Sequence, residues 1–511
     1  MPEKPAHENP GPVGGHLTGS LAGTAALSVA VLSFSLLVLL SIYAFHRLWI
    51  LYLYYRYYKL AVPRPSPAPP SEWPLVTVQL PIFNERYVVE RLLEAVCLID
   101  YPADRLEIQI LDDSTDDTTA LARRLVRRHR AAGRNVRLLH RDDRRGFKAG
   151  ALQGGLESSQ AEFVAVFDAD FLPPPDFLKR TIPHFADRRL GLVQARWGHV
   201  NAGYSLLTRL QSLFLDGHFM LEHTARNRSG AFFNFNGTAG IWRRLAIETS
   251  GGWSADTLTE DLDLSYRAQM GGWRFLFLPD LVCPAELPVD MPGFRNQQHR
   301  WTKGAFQVAQ KVLPALWRSS VPLRIKIEAT AHLTANVGYC LLVLYTLLAL
   351  PALWARRTLG WPPVLTGAEV SLLGASLASL TLFYLVAHRE ASPDHRVSLR
   401  EVPLLMAFGV GMAVNNARAV LEAILGIPTD FRRTAKFNIT GRGDPWRGSR
   451  YRTTLGGRGL LEASLALYLA LPLSLCLMSG RWATALFVFL LLAGHLAVGG
   501  LTLAHTLKAR E

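Results

Sequence analysis

Cysteine is scarce. The 511 residues contain four, Cys97, Cys283, Cys340 and Cys476, far apart and in none of the spacings that bind a metal. Two of them sit in apolar runs, and all four read as reduced packing residues. Charge is sparse as well. Charged residues make up 19% and hydrophobic residues 49%, too apolar for an ordinary soluble enzyme, which points to membrane spans. No G-x-G-x-x-G follows the first strand-like run and no G-x-x-x-x-G-K-[ST] occurs anywhere, so neither a dinucleotide oxidoreductase nor a P-loop ATPase is supported. The net charge of +14 comes without any nucleic-acid motif, and the basic residues cluster beside apolar segments. A cytoplasmic membrane face and anionic phosphate substrates suit it better than nucleic acid.

What is present divides into membrane and soluble parts. Residues 1–20 are polar and read as disordered; 21–56 form a long apolar run that reads as a transmembrane helix ending in an aromatic belt; 57–74 are a proline-rich linker. A soluble domain spans 75–303. Residues 304–328 read as interfacial helices broken at Pro314 and Pro322, and 329–427 as transmembrane and interfacial helices. Clear spans are expected at 330–354 and 367–387, and again at 459–478 and 483–504 within the two-helix segment 457–507. A basic loop, 428–456, lies between. Were 402–427 to cross, that loop would lie outside, against the positive-inside tendency; a shallow helix there and five full crossings are expected.

Within 75–290 strands alternate with helices, an α/β pattern. Its centre is Phe163-Val164-Ala165-Val166-Phe167-Asp168-Ala169-Asp170, an apolar run that reads as a strand buried on both faces and ends in two aspartates. Alternate residues on an extended chain point the same way, so both carboxylates can face one ligand at the strand's carboxyl edge. Two hard oxygen donors so placed suit Mg²⁺ or Mn²⁺ held jointly with substrate phosphates. Asp112 and Asp113 close another strand-like run, and Lys148 follows in a basic loop where it can meet a diphosphate as a point charge. His218 and His223, in an apolar helix with Glu222, read as packing residues.

Seven short motifs in order carry a resemblance: Pro81-Ile82-Phe83-Asn84-Glu85, Asp112-Asp113-Ser114, Lys148-Ala149-Gly150, Asp168-Ala169-Asp170, Phe235-Asn236-Gly237-Thr238, Thr259-Glu260-Asp261 and Gln297-Gln298-His299-Arg300-Trp301. Over about 74–305 the chain resembles the membrane-embedded family 2 glycosyltransferases of the cellulose synthase superfamily, and within it the cellulose-synthase-like mannan, glucomannan and glucan synthases. The resemblance implies a Rossmann-like α/β GT-A domain, cytoplasmic and inserted in an α-helical transmembrane bundle. It implies inverting transfer of a hexose from GDP-mannose or UDP-glucose to a growing oligo- or polysaccharide, with passage across the lipid bilayer of a bacterial inner membrane. Partner subunits are not named by it.

The residue roles come with the resemblance. Asp168 and Asp170 hold the metal; Pro81, Asn84, Glu85, Asp112, Asp113, Lys148, Asp168 and Gln297 bind the nucleotide sugar; Asp261 is the base, acting with Glu260, Arg300 and Trp301; Phe235, Asn236, Gly237, Thr238 and Trp301 line the acceptor end. The basic loop is similar to the F-x-V-T-x-K gating loop of cellulose synthases through Phe431, Thr434 and Lys436, with Arg433 where valine is usual. Two alternatives remain open at this point. Thr259-Glu260-Asp261 also suits a capped helix N-terminus. A glycolipid glucosyltransferase would share the Asp-x-Asp and Q-x-x-R-W patterns.

Overall fold

The computed structural model describes residues 14–59, 67–391, 400–429, 431, 433–446, 450–451 and 459–508. Of residues 1–20, expected to be disordered, 14–20 instead belong to the helix Gly14–Tyr54, while 1–13, part of the proline-rich linker and part of the basic loop fall outside these residues.

One mixed seven-stranded sheet organises the soluble part. Its strands are β1 (Val76–Ile82), β2 (Leu106–Asp112), β3 (Val136–His140), β4 (Phe163–Val166), β5 (Leu190–His199), β6 (Gly240–Arg243) and β7 (Arg274–Ala285), in the order β3-β2-β1-β4-β6-β5-β7. β1 to β4 are parallel, β6 is antiparallel to both its neighbours, and β5 pairs parallel with β7. The apolar run of β4 is buried along its length because both faces of the sheet are covered. Phe163 and Ala165 enter one core with Val78, Leu80 and Leu92; Val164 and Val166 enter another with Leu152 and Trp242. The β1 partners Gln79↔Val166 and Ile82↔Asp112 bring the carboxyl ends of β1, β2 and β4 to one edge. β3 and β4 lie on opposite sides of β1, so the chain reverses its direction of travel there, where open α/β sheets bind ligands.

Among the described residues, four helices are long and apolar enough to cross a membrane: Leu21–Lys59, Pro363–Ala391, Gly459–Met478 and Trp482–Leu507. Two bent pairs would make six: Leu323–Thr334 with Val337–Leu347, bent by 55°, and Glu401–Gly411 with Ala413–Ile424, bent by 41°. The expected straight span at 330–354 is thus broken. Asn336, a weak helix former, stands at its break and turns its side chain to Thr302. The expected break at Pro314 is absent. The helix Met291–Arg318 runs through it, because Val308, Val312 and Leu316 are buried with Tyr266 and Leu333, packing that outweighs the hydrogen bond proline cannot donate. The end expected for the soluble domain, at 303, falls within this helix. This helix also ties it to the bundle, through Arg295 to Glu462 at 2.6 Å and Lys303 to Glu422 at 3.3 Å.

Candidate active site

A cavity opens at the carboxyl edge of the sheet. Its wall includes Pro81, Glu85, Asp113, Lys148, Asp168, Asp170, Asn236, Gly237, Glu260, Asp261, Gln297, Arg300 and Trp301. Sequence motifs spread over some 220 residues thus converge on one space.

Lys148, in the first turn of the helix Phe147–Glu157, sits at its centre. Its ammonium donates to Asp168 Oδ1 at 2.5 Å and to the Gly237 carbonyl at 2.8 Å, with Glu260 at 3.9 Å. Burial disfavours its charge, but Asp168, Glu260 and Asp261 outweigh that and hold its pKa above the ordinary lysine value. Asp261 lies in the first turn of the helix Glu260–Met270. Burial, then the Glu260 carboxylate, push it up to about 7, against the pull of Lys148. Gly237 is needed where it is. Its φ is +79°, and a Cβ there would lie 2.9 Å from Asp261 Oδ2 and 3.2 Å from Lys148 Nζ.

Arg300 is half-buried on the same cavity's wall. Burial lowers its pKa, while Glu260, Asp168 and Asp261 favour its charge. Its guanidinium lies 4.6 Å over the Phe431 ring, and its Nε has no hydrogen-bond partner among the described residues. A planar cation so placed can bind a phosphate. Beside it, Trp301 rests on Trp197, their centroids 6.2 Å apart, and its ring lines the cavity.

Part of the expected set lies elsewhere. Asp112 is fully buried and off the wall; one oxygen accepts from the Ser114 N–H at 2.9 Å and the other meets His140 Nδ1 at 2.9 Å. Its neighbour Asp113 takes the wall position, paired with Arg141 at 2.6 Å. Asn84 is also off the wall. In a left-handed conformation, φ 55°, it accepts from the Thr115 N–H at 2.9 Å and joins the loops after β1 and β2. Phe235 is a core residue against Trp242. Thr238 acts from behind, its hydroxyl accepting the Asp168 N–H at 2.9 Å. Glu260 and Asp261 do begin a helix, but Thr259 makes no capping hydrogen bond. It packs instead on Gly304, where a Cβ would come within 2.5 Å of its methyl.

The basic loop fills the mouth of the cavity with Phe431, Arg433, Thr434 and Lys436. Arg433 Nη1 lies 3.1 Å from Glu85, and a second nitrogen donates to the Asn84 carbonyl. Burial pushes Glu85 up to about 8; Arg433 opposes this and Asp170 adds to it. Lys436 Nζ donates to Asp170 at 2.7 Å and to the Glu286 carbonyl. Glu286, which the sequence reading missed, accepts from the Phe437 and Ile439 N–H groups at 2.8 and 3.1 Å and so clamps the loop. It stands just past β7, an acidic residue at a strand's carboxyl end like Asp113 and Asp168, and that position was the available signal.

Among the described residues no three carboxylate, imidazole or thiolate groups converge to hold a metal unaided. Asp168 and Asp170 nonetheless fit the way Mg²⁺ and Mn²⁺ are held beside phosphates, by one or two carboxylates with the rest of the shell from ligand and water. Both carboxylates now face lysines.

The mixed sheet, with acidic strand ends and basic groups around one cavity, defines a glycosyltransferase fold of the GT-A type. Residues 74–304 match the family described as Glycosyltransferase like family 2, and the chain belongs to that family. Glucomannan 4-beta-mannosyltransferase 7 of Arabidopsis thaliana is 45% identical over 254 residues, 49% of this chain and 46% of that protein. Glucomannan 4-beta-mannosyltransferase 1 of Oryza sativa subsp. japonica is 38% identical over 358 residues, 66% of this chain and 68% of that protein. The chain thus spans about half the length of the first and two thirds of the second. Among solved structures, a mannosyltransferase from Pyrobaculum calidifontis in complex with GDP-mannose and Mn²⁺ shares the fold, with a TM-score of 0.51 at 22% identity, covering 80% of this chain and 100% of that one.

Proposed function

We propose that the chain is a membrane-bound inverting mannosyltransferase that transfers mannose from GDP-mannose to the end of a growing β-1,4-linked mannan or glucomannan. The observation that carries this is the meeting of Asp168, Lys148, Asp261 and Arg300 around one cavity. The names of the plant relatives support the polymer and the linkage, and the solved neighbour's ligand supports GDP-mannose as the donor.

The acceptor hydroxyl attacks the anomeric carbon as the bond from that carbon to the diphosphate oxygen breaks, so one in-line displacement inverts the centre. Asp261 takes the hydroxyl proton; a pKa near 7 suits a base working at neutral pH. Lys148 and Arg300 meet the negative charge that grows on the leaving diphosphate. Asp168 and Asp170 would hold a divalent ion, which supplies further neutralisation of that charge. Trp301 supports the sugar face and keeps attack in line.

Incubating the purified protein with radiolabelled GDP-mannose tests this. The product should elute as a polymer on gel filtration and be cut by an endo-β-mannanase. Label recovered only as a lipid carrying one sugar would replace this reading with a glycolipid enzyme.

A further inference from the structure

Three side chains behind the cavity wall form an array that none of the roles above uses. Leu206–Asp216 and Thr224–Ser229 are α-helical, and between them Gly217–His223 is a π-helical turn. Residues five apart on an α-helix differ in direction by about 140°, whereas a π turn brings them toward one face. His218 and His223 are five apart, and their ring centroids lie 4.3 Å from each other. Both meet the side chain of Asn236. His223 Nε2 is 2.7 Å from Asn236 Oδ1, and Asn236 Nδ2 is 3.0 Å from His218 Nε2. His218 Nδ1 in turn lies 3.4 Å from Glu222 Oε2.

Donor and acceptor roles fix the protons. An amide oxygen only accepts, so His223 carries its proton on Nε2, shared with the Asn234 carbonyl at 3.0 Å. Its Nδ1 is buried without a hydrogen-bond partner, as suits a bare nitrogen. An amide NH₂ only donates, so His218 Nε2 is bare and Nδ1–H faces the Glu222 carboxylate. Burial holds His223 down at about 3 and His218 well below its ordinary value, so both rings stay neutral and the pattern persists at working pH. Glu222 is anchored by Arg226 at 3.0 Å and by Arg47 of the first apolar helix.

Asn236 is therefore locked. Its oxygen and one amide hydrogen are spoken for, and its backbone N–H donates to Gln194 Oε1 at 3.2 Å. No described residue takes the second amide hydrogen. Asn236 is on the cavity wall, next to Gly237, where a Cβ would lie 2.9 Å from Asp261 Oδ2. We propose that Glu222, His218 and His223 are positioning residues that aim this remaining N–H of Asn236 at a hydroxyl oxygen of the acceptor sugar, beside the hydroxyl that Asp261 deprotonates. The inference rests on the reading of the Asp261 side as the acceptor end. A neutral, directional donor of this kind reads a sugar hydroxyl rather than a phosphate, so the array governs the acceptor and leaves the donor alone.

The test uses the full chain in detergent with GDP-mannose and soluble manno-oligosaccharides, and follows transfer, release of GDP in water without acceptor, and acceptor binding by tryptophan fluorescence. His218→Leu removes both ring nitrogens; His218→Gln restores an oxygen that can accept from Asn236. His218→Leu should weaken acceptor binding and raise acceptor KM about five- to tenfold, the effect of one hydrogen bond, with donor KM and GDP release within about twofold of wild type. His218→Gln should recover most of the loss. Acceptors lacking single hydroxyls on the terminal mannose should include one that costs the wild type the same factor and costs His218→Leu nothing more. Equal losses for donor and acceptor, or a Gln variant no better than Leu, would overturn the proposal. Should the Leu variant fail to fold, the deoxy series on the wild type decides, because full binding by every member would also overturn it. A wild type that transfers no hexose yet binds the oligosaccharide, more weakly in His218→Leu, would sink the transferase reading and keep this one.

Discussion

Asp261 combines two demands in one side chain: it must be close to other acids and still ionise near neutrality. Burial and Glu260 raise its pKa to about 7, and Lys148 limits the rise. A raised carboxyl pKa means the proton is held below that pH and the base is free above it. Transfer from GDP-mannose should therefore climb as pH passes through about 7 and level off above; rates across about pH 5 to 9 read this directly. Asp261→Asn should lose about 10²–10⁴-fold in turnover, keep GDP binding and lose that climb. A variant with near-normal turnover would remove Asp261 from the role. The local motifs made most of these residues legible in the sequence. What they could not say is which of two adjacent carboxylates faces the cavity. Asp112 turns to His140 and Asp113 to the wall, a choice set by strand register and by a partner on β3. Phe235 shows the same limit beside Asn236: alternation along the chain sends one into the core and the other to the wall. Glu286 stayed hidden because its partners, the Phe437 and Ile439 amides, lie some 150 residues away.

At the scale of elements, two contacts place the groups proposed to be catalytic. The helix that carries Arg300 and Trp301 approaches the start of the Asp261 helix over Gly304. Gly304→Val should force Thr259 away and destabilise the protein by about 1–3 kcal/mol, with a larger loss of transfer than of GDP binding; thermal unfolding and activity assays would show both. The second contact is the loop. Arg433 and Glu85 are both largely buried, and removing the cation leaves the acid without its counter-charge. Arg433→Ala should loosen the loop, so that a protease cuts between 431 and 446 several-fold faster than in wild type. Unchanged cleavage would mean that Glu286 and Lys436 hold the loop alone. Strands of the soluble part were legible where an apolar run is continuous and sharply bounded, as in β4. The through-running Pro314 was not, since proline's local penalty is visible in sequence and the packing of Val308, Val312 and Leu316 is not.

For the whole molecule, the docked loop constrains how often the chain crosses a membrane. Arg300 and the loop share one cavity, so the chain must be on the same side at Arg318 and at Phe431. Pro363–Ala391 lies between them with the two bent pairs, and an even number of crossings requires that one bent pair spans and the other does not. With the other three long helices that would make five crossings, and we propose that 402–427, beside the basic loop, is the shallow pair. In a background without the four native cysteines, Arg442→Cys and Glu157→Cys, both exposed, should react with an impermeant thiol reagent from the same side and from no other. Opposite labelling would mean that both pairs cross or neither does. The same cavity has a consequence for what a metal does for this protein. Lys148 and Lys436 already sit on Asp168 and Asp170, so the folded chain supplies its own counter-ions. Structural metal sites differ, because there the ligands stay mutually repelling until the ion arrives and binding energy becomes folding energy. Here a chelator should stop donor binding and leave the melting temperature within about 1 °C, since only a ligand that favours the folded state shifts it. The ion would then be a reagent that arrives with each donor and departs with each product, never a part of the scaffold.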